Sequence, residues 1–306
     1  MSSSNKGLPP IVYIAGALAL AGGGYALFAN RSNLPIPIPN IATSPNSGQP
    51  NSEIRLPFDP PATVPAGTAF KISGSTSMAQ ITQSLKMGFE QKFPGVQVVN
   101  GASSSGQGLA DLAAEKIDLT GISRELTADE KAQGLVSVTI VQDKIAIVIG
   151  NNNDLRTGLT SDQVSKIFTG EITNWSQVGG KSLLIRPILR PINSGTHQSF
   201  QKIGLKGKNF GTGGKFKILE RDATTPLLQA LGEDGIGYAT FAQVANQSTV
   251  RSIAIDGILP SAVNYPYKRT LAYVYKGKPS DAVKAFLGFA ASSEGQKLIT
   301  QPAQSQ

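Results

Sequence analysis

The stretch "RPINSGTHQSF", Arg190 to Phe200, sets an arginine four residues ahead of Ser-Gly-Thr, with the chain's single histidine next. Three chemistries suit such a run: a hydrolase nucleophile beside its base, a loop cradling an anion, or a polar turn that opens a helix. An apolar run, "LLIRPIL" (183–189), precedes it, and a helix-like pattern follows.

Two further loops share this setting. "SGSTSM" (Ser73–Met78) follows "FKI", and "GASSSGQGL" (Gly101–Leu109) follows "VQVVN". In an α/β fold, loops at the carboxyl ends of parallel strands gather along one edge of the sheet. A helix N-terminus presents unpaired N–H groups and a partial positive charge, so it attracts anions. Ser and Thr hydroxyls add donors, and Gly lets the backbone approach closely. One such loop need do no more than finish a helix; three of them, with Arg190 and with Arg124 in "GISREL", form a set.

Short β-branched runs alternate with helical patterns from about residue 68 onward. "VQVVN" (96–100), "IDLTGI" (117–122), "VSVTIV" (136–141), "KIAIVIG" (144–150) and "LLIRPIL" read as strands. Met78, Ile81, Leu85, Phe89 and Phe93 recur at helical spacing over 77–93. Thr127 and Glu130 form a capping box, Ser161 can cap "SDQVSKIF", Pro226 starts "PLLQALGED", and "SDAVKAFLGFAASSEGQKLIT" reads as one last long helix. The alternation predicts an α/β fold with largely parallel sheets.

Composition narrows the partners. The 306 residues are 40% apolar and 16% charged, with a formal net charge of +8. Lys and Arg are scattered singly and not interleaved with aromatics, so no nucleic-acid tract is expected. A mild positive balance favours anionic small ligands or anionic envelope polymers. The absence of cysteine removes disulfides, thiolate metal sites and a lipid-bearing cysteine. "IVYIAGALALAGGGYALFA", Ile11–Ala29, holds nineteen residues without a charge. That is near the ~20 residues that span a bilayer and longer than most signal-peptide cores. An uncleaved anchor through residues 8–29 is expected, a cleaved signal being the alternative. A buried soluble helix is disfavoured by Gly22-Gly23-Gly24 and by the lack of an amphipathic face. Residues 31–67, rich in Pro, Ser and Asn, read as an extended tether.

Enzyme readings lack their parts. No G-x-S-x-G elbow surrounds Ser194, and His197, three residues on, falls in the same helix turn. Ser199-x-x-Lys202 has no K-T-G or S-D-N triplet after it. "GGKS" (179–182) ends like a Walker A loop, yet Trp175 stands where the first glycine belongs. One His and no Cys leave no zinc set, and no calcium loop appears. A serine acyl-transfer hydrolase is the remaining enzyme alternative, and no cofactor is implied.

"SGSTSM", "GASSSGQGLADLAAEKIDLTGISREL", "LTSDQVSKIFTGEITNWSQVGG", "RPINSGTHQSF" and "GIGYATF" resemble, in this order, the phosphate-binding proteins of high-affinity ABC phosphate uptake systems. The resemblance spans about 68–300. It implies a two-lobed type II periplasmic-binding-protein fold, α/β, joined by two hinge strands that close on one dehydrated phosphate. Lobe one would take about 68–143 and 240–306, lobe two about 144–235, with crossings near "QDKIAIVIG" and "GIGYATF". The implied partners are inorganic phosphate and ABC permease subunits; the cell membrane is a partner expected from residues 8–29 alone. The implied place is the outer face of the cytoplasmic membrane or the periplasm, or outside the cell if the N-terminal segment is cleaved. A membrane-anchored sensor or scaffold of the same fold, without transport, is the alternative.

Carried onto this sequence, the resemblance makes Ser75, Thr76 and Ser77 the first cradle and Ser105 the contact of the second loop. Ser123 and Arg124 match the family's "SR", and Arg190, Ser194, Gly195 and Thr196 the lobe-two contacts. Asp143 would accept the proton carried by HPO4, a proton sulfate lacks. The two guanidinium groups offer planar forks suited to oxyanions. Arg124 as a surface salt-bridge residue and Asp143 as a brace of the hinge are the competing readings. Trp175 reads as packing and His197 as a solvated first-turn residue. The chain departs from the family where Pro191 replaces a glutamate and His197 an arginine.

Overall fold

A computed structural model describes residues 54–300. The expected anchor at 8–29 and most of the expected tether lie outside them. No helix among the described residues is long and apolar enough to cross a membrane.

In chain order the elements are β1 (Ala69–Gly74), a 3-10 turn (Thr76–Met78), α1 (Ala79–Lys92), β2 (Gln97–Asn100), α2 (Ser105–Ala113), β3 (Leu119–Ile122), α3 (Ala128–Ala132) and β4 (Leu135–Gly150). Then come α4 (Ser161–Thr169), a 3-10 turn (Trp175–Val178), β5 (Arg186–Leu189), α5 (Gly195–Ile203), β6 (Lys217–Ile218), α6 (Thr224–Gln229), β7 (Gly235–Thr240) and α7 (Phe241–Val244). The chain finishes with β8 (Val250–Ser252), β9 (Lys268–Lys276), α8 (Asp281–Ala291) and α9 (Ser293–Thr300).

These elements bury two sets of cores. Phe70, Ile72, Leu85, Phe89, Tyr273 and Phe286 centre the first, with Leu109, Ile122 and Val274 beside it. Ile147, Phe168, Trp175, Phe200, Tyr238 and Tyr265 centre the second, with Val148, Ile188, Leu227 and Val244 beside it. The result is a mixed α/β fold of two lobes, each a sheet flanked by helices.

The strands run β2-β1-β3-β9-β4-β7-β5-β6, with β8 on β4. Parallel pairing holds for β1 with β2 and β3, and for β5 with β6 and β7. The pairs made by β4 and β9 are antiparallel, so the sheet is mixed where a largely parallel one was expected. The two predicted strands at 136–141 and 144–150 are one continuous strand, β4. Its first half pairs with β9 and its second with β7 and β8. β4 therefore carries the chain from one lobe to the other.

The return differs from expectation. β7 approaches the lobe junction at Thr240, opposite Ile145, but the chain then turns back. Phe241, Val244 and Val250 pack with Val148 and Ala239, and Ile253, Ile255, Tyr265 and Tyr267 join the Phe168–Tyr238 core. The chain re-enters the first lobe only at β9, where Lys268 and Arg269 pair with Lys144 and Asp143. At the other end, Ile54, Leu56, Phe58 and Val64 pack on the first core, so the stretch read as tether is already part of the folded body there.

Local signals explain most boundaries. Thr127 and Glu130 make the expected capping box. Thr160, not Ser161, caps α4, reciprocated by Gln163. The predicted last helix is two, since Ser292 is extended between α8 and α9. Trp175 is buried, its Nε1–H donated to the Asp234 carbonyl at 3.1 Å.

Candidate anion-binding site

Three chain turns meet at the junction of the lobes. The first leaves β1 at Gly74, whose φ is +116°; a Cβ there would overlap the Gly121 carbonyl and the Thr120 hydroxyl. This glycine lets the chain turn sharply into Ser75–Ser77. Ser75 Oγ accepts the Ser77 N–H at 3.2 Å and donates to Ser123 Oγ at 2.9 Å. The second turn opens α2: Ser105 Oγ accepts the Ser123 N–H at 3.1 Å and lies 3.3 Å from Ser123 Oγ. The third opens α5, where Ser194 Oγ caps the helix by accepting the His197 N–H at 3.3 Å.

The third turn belongs to the second lobe, yet it touches the other two. Thr196 Oγ1 lies 3.0 Å from Ser77 Oγ, and the Gly106 N–H donates to the Asn193 carbonyl at 3.0 Å. Ser199 Oγ donates to the Ser123 carbonyl at 2.8 Å. Gly195 sits so close to Ser105 Oγ and Ser123 Oγ that a Cβ would overlap both. Ser75, Ser77, Ser105, Ser123, Ser194, Gly195 and Thr196 are all buried. Thr76 Oγ1 is buried as well and has no hydrogen-bond partner. A buried orphan hydroxyl is costly unless something completes it. Hydroxyls and helix N-termini from both lobes thus gather as donors around one point.

The charged residues are arranged differently from expectation. Arg124 does not reach the turns: both Nη atoms bind the Glu130 carboxylate, at 2.7 and 2.6 Å, and Nη1 also donates to the Glu125 carbonyl. The Arg124 hydrogen bond holds the Glu130 carboxyl below its ordinary range. Arg190 is buried beneath its own loop. It donates to Asp222 Oδ1 at 2.7 Å, to Thr224 Oγ1 at 2.7 Å and to the Tyr238 carbonyl at 3.4 Å.

The guanidinium that reaches the turns is Arg269. Its Nε donates to Asp143 Oδ2 at 2.8 Å, its Nη1 to Thr196 Oγ1 at 2.8 Å, and its Nη2 to Ser77 Oγ at 3.0 Å and Thr240 Oγ1 at 2.6 Å. Burial pushes the Arg269 pKa down, opposed by Asp143. Asp143 and Arg269 face each other in the β4–β9 ladder. With Arg190 and Asp222 they form two buried ion pairs whose formal charges cancel. What this junction offers an anion is therefore oriented donors and dipoles more than net charge.

His197 is buried rather than solvated. Its Nδ1 lies 3.0 Å from Tyr238 Oη, which accepts the Arg190 N–H, and its ring packs at a tilt against Phe210, with centroids 4.2 Å apart. Burial pushes the His197 pKa down, opposed by the Arg190 backbone and by Asp222.

A cleft of about 860 Å³ opens beside the turns. Arg124, Lys202, Lys268 and Arg269 line it together with Glu125 and Glu130. No cluster of metal-ligating side chains occurs among the described residues.

Two α/β lobes meeting at an anion-ready junction agree with the family comparison, in which the PBP superfamily domain matches residues 59–294. The chain belongs to the PBP superfamily. Its curated relatives include the phosphate-binding protein PstS of Bacillus subtilis, 28% identical over 245 residues, or 76% of this chain and 79% of that one. PstS of Borreliella burgdorferi is 27% identical over 75% of this chain and 87% of that one. Among solved structures, a chain from Clostridium perfringens superposes with a TM-score of 0.70 at 28% identity, covering 77% of this chain and 98% of its own. It is described as a phosphate ABC transporter substrate-binding protein with bound phosphate. An ABC-type phosphate transport receptor from Vibrio cholerae gives 0.63 at 25% identity, with coverages of 77% and 98%.

Sequence reasoning missed Arg269, Thr240, Asp222 and Thr224. Arg269 stands second in the strand run "KRTLAYVYK" and shares a side with Leu271, Tyr273 and Tyr275, but both faces of that run are apolar and buried, so no alternation singles it out.

Proposed function

We propose that the chain is an extracytoplasmic receptor that captures inorganic phosphate between its two lobes and delivers it to an ABC importer. The observation that carries this reading is the convergence of Ser75, Ser77, Ser105, Ser123 and Thr196 from both lobes around the Arg269–Asp143 pair. The phosphate-binding relatives and the C. perfringens chain with bound phosphate support it.

In this reading the anion is held by hydroxyls and N–H groups of Ser75–Ser77, Ser105, Ser123 and Ser194–Thr196, with Thr76 Oγ1 completed by a ligand oxygen. Arg269 supplies the charge-assisted bond. It binds Asp143 Oδ2, which leaves Oδ1 to accept the ligand's proton. Arg190 acts from behind the loop, and Arg124 braces α3. Lobe one takes 54–143 and 268–300, and lobe two takes 144–267. The uncharged run Ile11–Ala29 would tether the body to the membrane. Donors from both lobes favour the closed state by their differential contacts.

Titration calorimetry of the full chain with phosphate and with sulfate tests this. Phosphate is expected to bind and sulfate to bind far more weakly. Equal affinities would remove the role given to Asp143, and absence of phosphate binding would remove the function.

A further inference from the structure

Gln243, on α7 of the second lobe, reaches across to the first. Its Nε2–H donates to the Thr76 carbonyl at 2.8 Å, and its Oε1 accepts from Thr224 Oγ1 at 2.6 Å. Thr224 Oγ1 in turn accepts from Arg190 Nη2 at 2.7 Å, and Arg190 is held by Asp222 at 2.7 Å. Every donor in this series points the same way, from Arg190 through Thr224 and Gln243 to Thr76. Such a series polarises each bond in turn.

The end of the series matters most. The Thr76–Ser77 peptide is planar and trans, so its C=O and N–H point in opposite directions. The carbonyl is gripped by Gln243 and by the Ala79 N–H, and the opposed Ser77 N–H points at Ser75 Oγ among the gathered turns. An amide on one lobe therefore sets the direction of a donor on the other.

We propose that Gln243 is a positioning residue for the anion site, coupling Arg190 in the second lobe to the Thr76–Ser77 peptide in the first and thereby slowing release of the bound anion. This rests on the phosphate reading above. Only the closed arrangement brings the amide to the carbonyl, so its loss acts on dissociation more than on association.

The test compares the full chain with Gln243→Met, which keeps length without hydrogen bonds, and Gln243→Glu, which keeps the acceptor but loses the donor when ionised. Phosphate binding and release are followed by calorimetry and stopped flow, and melting without phosphate serves as the folding control. Gln243→Met is expected to release phosphate about tenfold faster, the worth of the one hydrogen bond it loses between the lobes, since the bond to Thr224 lies within the second lobe. Gln243→Glu should lose more at pH 7, where a carboxylate faces the carbonyl. Its deficit relative to the parent chain at the same pH should shrink as acid protonates the carboxyl, ordinarily near pH ~4.3. The charged groups around that position are Arg190 with Asp222, reached through Thr224, and Asp143, which lines a cavity of about 200 Å³ together with Gln243 and is itself paired with Arg269. Parental release rates in Gln243→Met, or a Gln243→Glu deficit that ignores pH, would overturn the proposal. A parent chain that gives no phosphate isotherm overturns the reading beneath it, and the proposal with it.

Discussion

Replacing Arg269 by methionine separates two contributions that the structure joins. The guanidinium is buried and binds Asp143, Thr196, Ser77 and Thr240. Methionine fills much of the volume but leaves the Asp143 carboxylate buried without its cation. Removing one partner of a buried pair costs about 3–5 kcal/mol. At roughly 2–4 °C per kcal/mol for a body of this size, Tm should fall by about 6–20 °C. Adding Asp143→Asn removes the stranded charge, leaving only imperfectly paired polar groups that cost about 1–3 kcal/mol. The double variant should therefore be more stable than Arg269→Met alone. Denaturant melts of the parent, both single variants and the double form a cycle that isolates the coupling. Phosphate affinity should fall about tenfold to a hundredfold in Arg269→Met, the loss of a charge-assisted bond. An Arg269→Met cost below about 1 kcal/mol, or a deeper loss on adding Asp143→Asn, would refute this coupling.

Gly195→Ala places a methyl on Ser105 Oγ and Ser123 Oγ, so the lobes cannot meet; phosphate affinity by calorimetry should collapse while circular dichroism stays parental. Lys202 and Glu125 pair across the cleft at 2.7 Å but are exposed, so Lys202→Glu should weaken phosphate binding no more than about threefold, and less at high salt, in titrations at two ionic strengths. Because burial lowers the His197 pKa below its ordinary 6.5, the unfolded chain takes up that proton first as pH falls. Its contribution to stability is complete above pH 6.5 and lost below it, toward the folded pKa. Urea melts between pH 7 and 5 should show this decline, and His197→Asn should flatten it.

The three turns were legible because hydroxyl-rich, glycine-bearing loops between a strand and a helix are local patterns. Ser75, Ser105 and Thr196 need only their neighbours to be recognised. The charges were not legible in the same way. Arg190 stands beside Ser-Gly-Thr in sequence, but Asp222, thirty-two residues on, takes its guanidinium. Arg124 is claimed by Glu130, already visible as the partner of Thr127 in the capping box. Arg269 lies 126 residues from Asp143, and only the ladder between β4 and β9 makes them neighbours. The position of the return crossing was hidden likewise: "GIGYATF" does run to the junction, and what turns the chain back is the burial of Phe241, Val244 and Val250, visible only in three dimensions.

The ribbon formed by β4 and β9 has one more consequence. A two-stranded ladder twists and flexes readily but does not lengthen, so lobes that part in the proposed receptor would swing about it. Asp143 and Arg269 sit on that axle, paired rung to rung. They would stay together through such a swing, while Thr196 and Gly195 would travel away with the second lobe. Opening in the proposed receptor would thus unmake the cluster of hydroxyls and leave its electrostatic pivot assembled for the next ion.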